Sequence, residues 1–333
     1  VSFCFSTFRR PAYLKSTIES ILIQSYQDFE IIVSDNDTEQ SAEAVVSSYG
    51  DSRVKYFANG ANLGMKKSFN KSLERSSGEY IVMIADDDPV YPDMLQTLYG
   101  LQNEFPGYGM YMGGCDWFCT DHEVGKLYNF NVGTNSCLSN EHDLDHKIVY
   151  TPDEFLLNLF GLRIFPHYLW STVLVKRDIL ISVGGVPDYG TPFLGDYAYM
   201  AVIGSVSGCV TINRSLGRQT LHRENFGRQQ NDQLETAAIA FPEFIKRKLS
   251  HLQRREESRK AMLKFTAMWL VSHMSFLNHY YSKTGAEKDS LRAAERKIFK
   301  LNFIKKYRFK YYMKKNFPLL HDWIIHVKRK IGR

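Results

Sequence analysis

The sequence predicts an α/β fold: a mostly parallel, Rossmann-like sheet with helices on both faces, followed by a basic helical C-terminal extension. Three observations predict it. Over the first hundred residues, short apolar runs alternate with segments whose apolar residues recur at helical spacing. From Gln233 the pattern stays helical to the end of the 333 residues. The charge divides near the same point: from Thr236 to Arg333 there are 24 Lys and Arg against 7 Asp and Glu, a balance of +17, while the rest carries −11. Such asymmetry speaks about partners rather than fold.

The elements follow in order. Val1–Ser6 is a short apolar run, and Pro11 suits the first turn of a helix whose apolar face is Leu14, Ile18, Ile21 and Leu22. Phe29–Val33 reads as a buried strand ending at Ser34-Asp35. Ala42, Val45, Val46 and Tyr49 give a second helix, Val54–Phe57 a strand, Asn62-Leu63-Gly64 a turn and Lys66–Arg75 a third helix. Tyr80–Ile84 is a further buried strand, ending at Asp86-Asp87-Asp88. Beyond it, Met110–Cys119 reads as a strand, Asp121–Gly125 as a turn and 129–146 as loop. Pro152–Phe160 reads as a helix, Tyr168–Val175 as a strand, Gly184-Gly185 as a break and Asp196–Val202 as a helix.

Composition sets further bounds. Apolar residues make up 44% and charged residues 23%, enough for a sizeable core and against disorder. No run approaches 18 uncharged apolar residues, so no transmembrane helix is expected. No basic start precedes an apolar run, so no signal peptide is expected either. Five cysteines form an odd, sparse set that suits a reducing compartment. Cys115, Cys119 and His122 loosely imitate zinc spacing but lack a fourth ligand. Neither a phosphate-binding Gly-rich loop nor a Gly-x-Ser-x-Gly elbow occurs, which removes support for ATP hydrolysis, dinucleotide chemistry and serine hydrolysis.

In parallel α/β sheets, ligands bind beyond the carboxyl ends of the strands. Thr7, Asp35 and the Asp86–Asp88 run all fall at such ends. Three adjacent carboxylates repel one another, and a hard divalent cation would relieve that. The alternative is a solvated acidic turn.

Ser6-Thr7-Phe8-Arg9-Arg10-Pro11, Glu30–Asn36, Asn62-Leu63-Gly64, and Gly78–Ile81 running into Asp86-Asp87-Asp88 with Pro92 beyond occur in that order. Together they resemble the family 2 glycosyltransferases, over roughly residues 1–100 and more weakly to about 225. The resemblance implies a GT-A fold, a nucleotide-sugar donor (UDP-sugar first) and an inverting mechanism with Mg2+ or Mn2+. It implies nucleotide contacts at Thr7, Arg10, Asp35 (the base) and Asp86 (the ribose), and metal contacts at Asp87, Asp88 and His222. Ala85 stands where many members carry the first Asp of their acidic motif. Gly184-Gly185-Val186-Pro187-Asp188 and Gly195-Asp196 are similar to the family's Gly-Gly-Phe-Asp stretch and the acidic pair after it. That makes Asp196 the general base, although helix N-capping is another use for it. His222 follows Leu216–Leu221, a partial match because Thr220 stands for the family's Arg. Arg218, Arg223 and Arg228 are cations for a diphosphate or a solvated basic face, and Trp117 and Trp170 stack sugar or fill core.

Residues 1–235 are therefore expected to form the GT-A domain, with 1–105 its nucleotide half and 106–235 its acceptor and catalytic half. Residues 236–333 are expected to form the basic helical region. Lys297–Lys315 mixes cations with aromatics, and Leu320, Trp323, Ile324, Val327 and Ile331 recur at helical spacing. That pattern suits an amphipathic helix on an anionic membrane, packing onto the acidic body or, third, nucleic acid; no nucleic-acid partner is expected. The expected role is synthesis of a bacterial surface polysaccharide on a lipid-linked glycan acceptor, with the enzyme cytoplasmic and peripheral on the inner face of the plasma membrane. A sugar nucleotidyltransferase is the competing enzyme class, but Ser6–Pro11 contains no Gly to hold a triphosphate. A non-catalytic membrane- or glycan-binding module is the third reading.

Overall fold

Four apolar strands make the parallel half of the sheet. In a computed structural model, which describes residues 1–317 except 129, 139–142, 166, 168, 226–232 and 285–288, β1 (Ser2–Thr7), β2 (Glu30–Asp35), β3 (Val54–Ala58) and β4 (Tyr80–Ala85) lie side by side in the order β3-β2-β1-β4. β1 and β2 are buried along their whole length, as expected of strands covered on both faces. The helices between them are α1 (Pro11–Leu22), α2 (Glu43–Ser47) and α3 (Met65–Arg75), and α4 (Met94–Glu104) follows β4. Leu14, Ile18 and Ile21 of α1 share a core with Phe3, Phe5, Ile31, Val33, Val82 and Ile84. The register pairs Thr7 with Asp35 and Ser6 with Ala85, so β1, β2 and β4 end level.

The second half of the sheet is mixed. Its elements are β5 (Met110–Cys119), α5 (His122–Tyr128), β6 (Gly133–Asn135), β7 (Lys147–Tyr150), α6 (Pro152–Gly161), β8 (Val173–Lys176), α7 (Arg177–Ser182), α8 (Gly195–Ser207) and β9 (Cys209–Leu221). The order continues β4-β8-β5-β9-β7, with β6 beside β5. β8 runs against both neighbours, β6 runs against β5 and β7 against β9, so six strands run one way and three the other.

Three expectations need correction. Residues 170–172 form a 3-10 turn, and the strand begins only at Val173. The Thr172 hydroxyl reaches Leu169 O, a local partner of the kind that competes with a strand ladder, and also Gly113 O, a partner brought near by the fold. Tyr168, the expected first residue of that strand, lies outside the described residues. The turn at Asp121 continues as α5, because Asp121 Oδ1 accepts the N–H groups of Glu123 and Val124 and caps it. The expected loop at 129–146 contains β6. α4, β7, α7 and β9 were not anticipated. In β9, Asn213-Arg214-Ser215 hides the apolar pattern, and the register shifts opposite Gly113 and Gly114.

The chain forms two compact units. One comprises Val1–Asp188, Gly195–Arg223 and His251–Arg254 and carries the sheet. The other comprises Tyr189–Leu194, Glu224–Ser250 and Arg255–Arg333. Its described helices are α9 (Leu234–Lys248), α10 (Arg255–Thr284), α11 (Asp289–Ile298), α12 (Asn302–Lys305) and α13 (Arg308–Asn316). They share a core of Leu234, Leu270, Met274, Leu291, Ile298 and Ile304. No described helix is long and apolar enough to cross a membrane. The segment Leu320–Ile331 lies outside the described residues.

Candidate active site

The carboxyl end of β1 turns sharply into α1. Arg9 has φ 56°, a left-handed conformation costing a non-glycine residue about 1–3 kcal/mol. Arg10 then takes the N-cap position and Pro11 the first turn. This turn lays Arg10 across the end of β4. Its Nη1 donates to Asp87 Oδ2 at 2.7 Å, its Nε to Asp86 Oδ2 at 3.3 Å, and its Nη2 to Asp86 Oδ1. The Thr7 hydroxyl donates to Asp86 Oδ2 at 2.8 Å, and the Thr17 hydroxyl donates to Asp86 O at 2.8 Å.

The triplet is not a solvated turn: Asp86, Asp87 and Asp88 are 0%, 9% and 5% exposed. β9 closes over it. Val90 bridges Gly217, and the N–H groups of Arg218 and Tyr91 donate to Pro89 O and Leu216 O. The Thr220 N–H donates to Asp88 Oδ1 and the Ser171 hydroxyl to Asp88 Oδ2, each at 3.4 Å. His222, buried and stacked on Tyr13 at 4.4 Å, brings Nε2 to 3.0 Å from Asp87 Oδ2.

The three carboxyls are electrostatically unlike. Burial pushes Asp86 up to about 7, helped by the Asp87 charge and opposed by Arg10 and Thr7. Burial also pushes Asp88 well up, with Asp87 and Asp196 adding to the rise. At Asp87 the upward push of burial is outweighed by His222 and Arg10, and its carboxyl falls below the ordinary range. Asp87 is therefore the member that stays ionised over the widest pH range.

Asp35 is fully buried, and both of its oxygens are engaged. Oδ1 accepts the Asp37 N–H at 2.8 Å, and Oδ2 accepts the Ala42 N–H at 3.2 Å and the Tyr56 hydroxyl at 3.0 Å. The loop it fixes is tied to β1 by the Asn36 N–H on Thr7 O.

Asp196 is the second residue of α8, inside the first turn rather than at the cap, and partly exposed. The residue before the helix, Leu194, is left-handed at φ 63°. Desolvation lifts the Asp196 carboxyl to about 7, against hydrogen bonds from the Trp170 N–H and its own. Its charge helps to raise Asp88, so the two carboxyls share one electrostatic neighbourhood.

Two contributors around the Gly184-Gly185 stretch, Asn70 and Lys66, were not read from the sequence. Gly184 and Gly185 have φ 96° and 76°, and a Cβ at Gly185 would meet Asn70 Oδ1 at 2.3 Å. Asn70 clamps this loop, donating to Val186 O at 3.1 Å and accepting the Val186 N–H at 2.8 Å. Lys66 Nζ lies 3.9 Å from Asp188 Oδ1, and burial lowers its ammonium to about 8. The available signal was a polar Asn and Lys within a short amphipathic helix after Asn62-Leu63-Gly64. Their partners lie more than a hundred residues away, so the role itself was illegible.

Other candidates go elsewhere. Arg218 stacks over Phe118 and Tyr91, and Arg223 pairs with Asp121. Arg228 lies outside the described residues. Trp170 is buried edge-on to Phe69 and Tyr199, whereas Trp117 stacks on His167 at 3.7 Å. Among the described residues no three His, Cys, Asp or Glu side chains form a ready-made metal cluster, Cys115, Cys119 and His122 included. Asp87 with His222 is nonetheless a fitting donor pair for Mg2+ or Mn2+. Such ions take few protein ligands and fill their shell with phosphate oxygens and water. A cavity of about 450 Å3 lies at the opposite end of the strands, lined by Glu30, Arg53, Lys55 and Tyr99 among others, and touches none of these residues.

Known proteins resemble the chain in family and in fold. The sequence profile of glycosyl transferase family 2 matches residues 2–180. A Campylobacter jejuni GalNAc(5)-diNAcBac-PP-undecaprenol beta-1,3-glucosyltransferase is 37% identical over 112 residues, 33% of this chain and 36% of that protein. Across three of the curated relatives matched, the aligned region spans 36% to 65% of the relative's own length. Among solved structures, S. aureus TarS with UDP superposes with a TM-score of 0.58 at 13% identity, covering 93% of this chain and 91% of that one. A mannosyltransferase from Pyrobaculum calidifontis with GDP-Man and Mn2+ gives 0.53 at 13% identity, covering 95% and 87%. At such identity these two structures speak for the GT-A fold. With the family profile matching more than half of its length, the chain belongs to the family 2 glycosyltransferases.

Proposed function

We propose that the protein moves a sugar from a nucleotide-sugar, UDP-sugar first, to a hydroxyl of a glycan acceptor, with inversion at the anomeric carbon. The observation that carries this reading is the interlocked junction of Thr7, Arg10, Asp86, Asp87, Asp88 and His222 at the carboxyl ends of β1, β4 and β9, with Asp196 in the field of Asp88. Donor binding falls to residues 1–105, acceptor binding and catalysis to 106–235, and the basic helical region to 236–333. Asp86 is assigned to the ribose, reached by exchanging a hydrogen bond from Thr7 or Arg10 for one from a ribose hydroxyl. Asp35 serves the base, through the loop it fixes or by exchanging one of its internal hydrogen bonds for the imide N–H.

Asp196 takes the proton of the acceptor hydroxyl as that oxygen attacks the anomeric carbon. The bond from this carbon to the nucleoside diphosphate breaks in the same in-line displacement. A carboxyl near pKa 7 suits the task, because a general base works best when its pKa lies near the operating pH. Asp87 and His222, with Asp88 beside them, would hold Mg2+ or Mn2+, which supplies charge neutralisation for the leaving diphosphate.

The acceptor is a glycan on a lipid carrier in surface polysaccharide synthesis, a reading supported by the undecaprenol-linked acceptor named for the Campylobacter relative. The enzyme works in the cytoplasm on the inner face of the plasma membrane. The basic region favours an anionic surface. On its described part, Phe309 is 74% exposed beside Lys305, Lys306 and Arg308.

Calorimetric titration with UDP, GDP and dTDP, each with and without Mn2+, tests the reading. Metal-dependent binding of one nucleotide, UDP first, is expected. No binding of any nucleotide overturns the donor assignment.

A further inference from the structure

Arg10 sits in an electrostatically awkward place. It is the N-cap residue of α1, where the helix dipole disfavours a cation, and its side chain makes no capping bond. What holds it there is the acidic pair: three hydrogen bonds to Asp86 and Asp87, with about a quarter of the side chain still open to solvent. The Asp87 oxygen that accepts Arg10 Nη1 at 2.7 Å is the same Oδ2 that lies 3.0 Å from His222 Nε2. One oxygen therefore serves the guanidinium and the carboxylate–imidazole pair together. With Arg10 on one lone-pair direction of Oδ2 and His222 on the other, a cation ligated by that oxygen must displace at least one of the two, and the nearby guanidinium charge opposes its approach as long as Arg10 stays in place.

We propose that Arg10 is a built-in counter-cation that exchanges with the divalent metal. In the free protein it neutralises Asp86 and Asp87, keeps the junction assembled and suppresses capture of bare metal. When metal arrives with the diphosphate, the guanidinium gives up Asp87, keeps its hold on Asp86 and turns its freed donors to the phosphate oxygens. A planar guanidinium suits this exchange, since it can grip two oxyanions at once and divide its donors between them. The device makes metal and donor bind together rather than metal alone. It rests on the glycosyltransferase reading and adds an order to its binding steps.

The experiment measures Mn2+ alone, by the electron paramagnetic resonance of the free ion, and UDP at saturating Mn2+, by calorimetry. Wild type, Arg10→Met and Arg10→Lys are compared. Arg10→Met removes the competitor and leaves two carboxylates without their counter-charge. It is expected to bind Mn2+ alone at least about tenfold more tightly than wild type, and UDP–Mn2+ several-fold more weakly. Arg10→Lys, a point charge that cannot hold both carboxylates, is expected to fall between. A purely structural role for Arg10 predicts the opposite sign, a loss of Mn2+ affinity. Unchanged or weaker Mn2+ binding in both variants overturns the proposal. If Arg10→Met does not fold, the Lys variant alone decides by the same sign. Should wild type bind neither UDP nor UDP–Mn2+, the donor assignment fails instead, whatever the variants do.

Discussion

The two halves of the sheet are built by different rules. In residues 1–105 β1, β2 and β4 are buried almost throughout, β3 is partly exposed, and all four pair in parallel with a neighbour from the same half. In residues 106–223, β8 inserts between β4 and β5, the pairing is mixed, and the polar residues of β9 disguise a strand of 13 residues. The regular half ends in the carboxylates that would hold donor and metal. The irregular half brings Thr220, His222, Ser171 and Asp196 to them from far along the chain. Donor binding can rest on a repeated scaffold. Placing a base against it needs long-range contacts that no local pattern encodes.

A graded set of measurements sharpens or breaks this division. The largest effect is expected at Asp87: Asp87→Asn should lower UDP affinity in Mn2+ by at least about a hundredfold, because it removes the carboxylate that stays ionised. Asp196→Asn should leave that affinity within about threefold of wild type yet slow single-turnover transfer by about 10²–10⁴. Equal losses of binding in both variants would erase the distinction between the halves.

The pH profile comes next. With the Asp196 carboxyl near 7, transfer should fall about tenfold per pH unit below 7 and level off above it. Stability should run the other way. The folded value lies above the unfolded value of about 3.9, so the folded state holds the proton more tightly, and stability is lost as pH rises from about 4 to 7. Asp196→Asn should therefore be more stable than wild type at pH 8 by about 2 kcal/mol, after discounting for partial exposure, and equal to it at pH 4. A denaturant titration at the two pH values gives the answer.

Smaller still is the effect of Asn70→Ala. It removes both hydrogen bonds that tie α3 to Val186, at a cost of about 1–3 kcal/mol. The Gly184-Gly185 loop precedes the Asp196 helix, so kcat should suffer more than UDP affinity. The smallest is Thr7→Val, which loses the hydroxyl on Asp86 and about 1 kcal/mol, read as a shift in denaturation midpoint.

Sequence alone carried the first half a long way. Alternation of apolar runs and helical periodicity located β1 to β4 and α1 to α3 within a residue or two, and for β1, β2 and β4 burial on both faces leaves a dense local signature. The acidic triplet and the polar ends of β1 and β2 were visible for the same reason: a charged run closing an apolar strand is conspicuous. α4, β7, α7 and β9 escaped, as did the turn at 170–172, where hydroxyls found partners such as Gly113 O that only the fold supplies. The loop at 129–146 hid β6 because three residues carry too little pattern to register.

What the sequence determined is therefore the set of chemical groups and the strand ends they terminate. Only the tertiary structure decided their states: which carboxyl stays ionised, which oxygen is shared, and which cation lies against them. Ionisation depends on desolvation and on charges brought near through space. Asp86, Asp87 and Asp88 are neighbours of the same type in the chain, yet Arg10, His222, Thr220 and Asp196 approach them unequally.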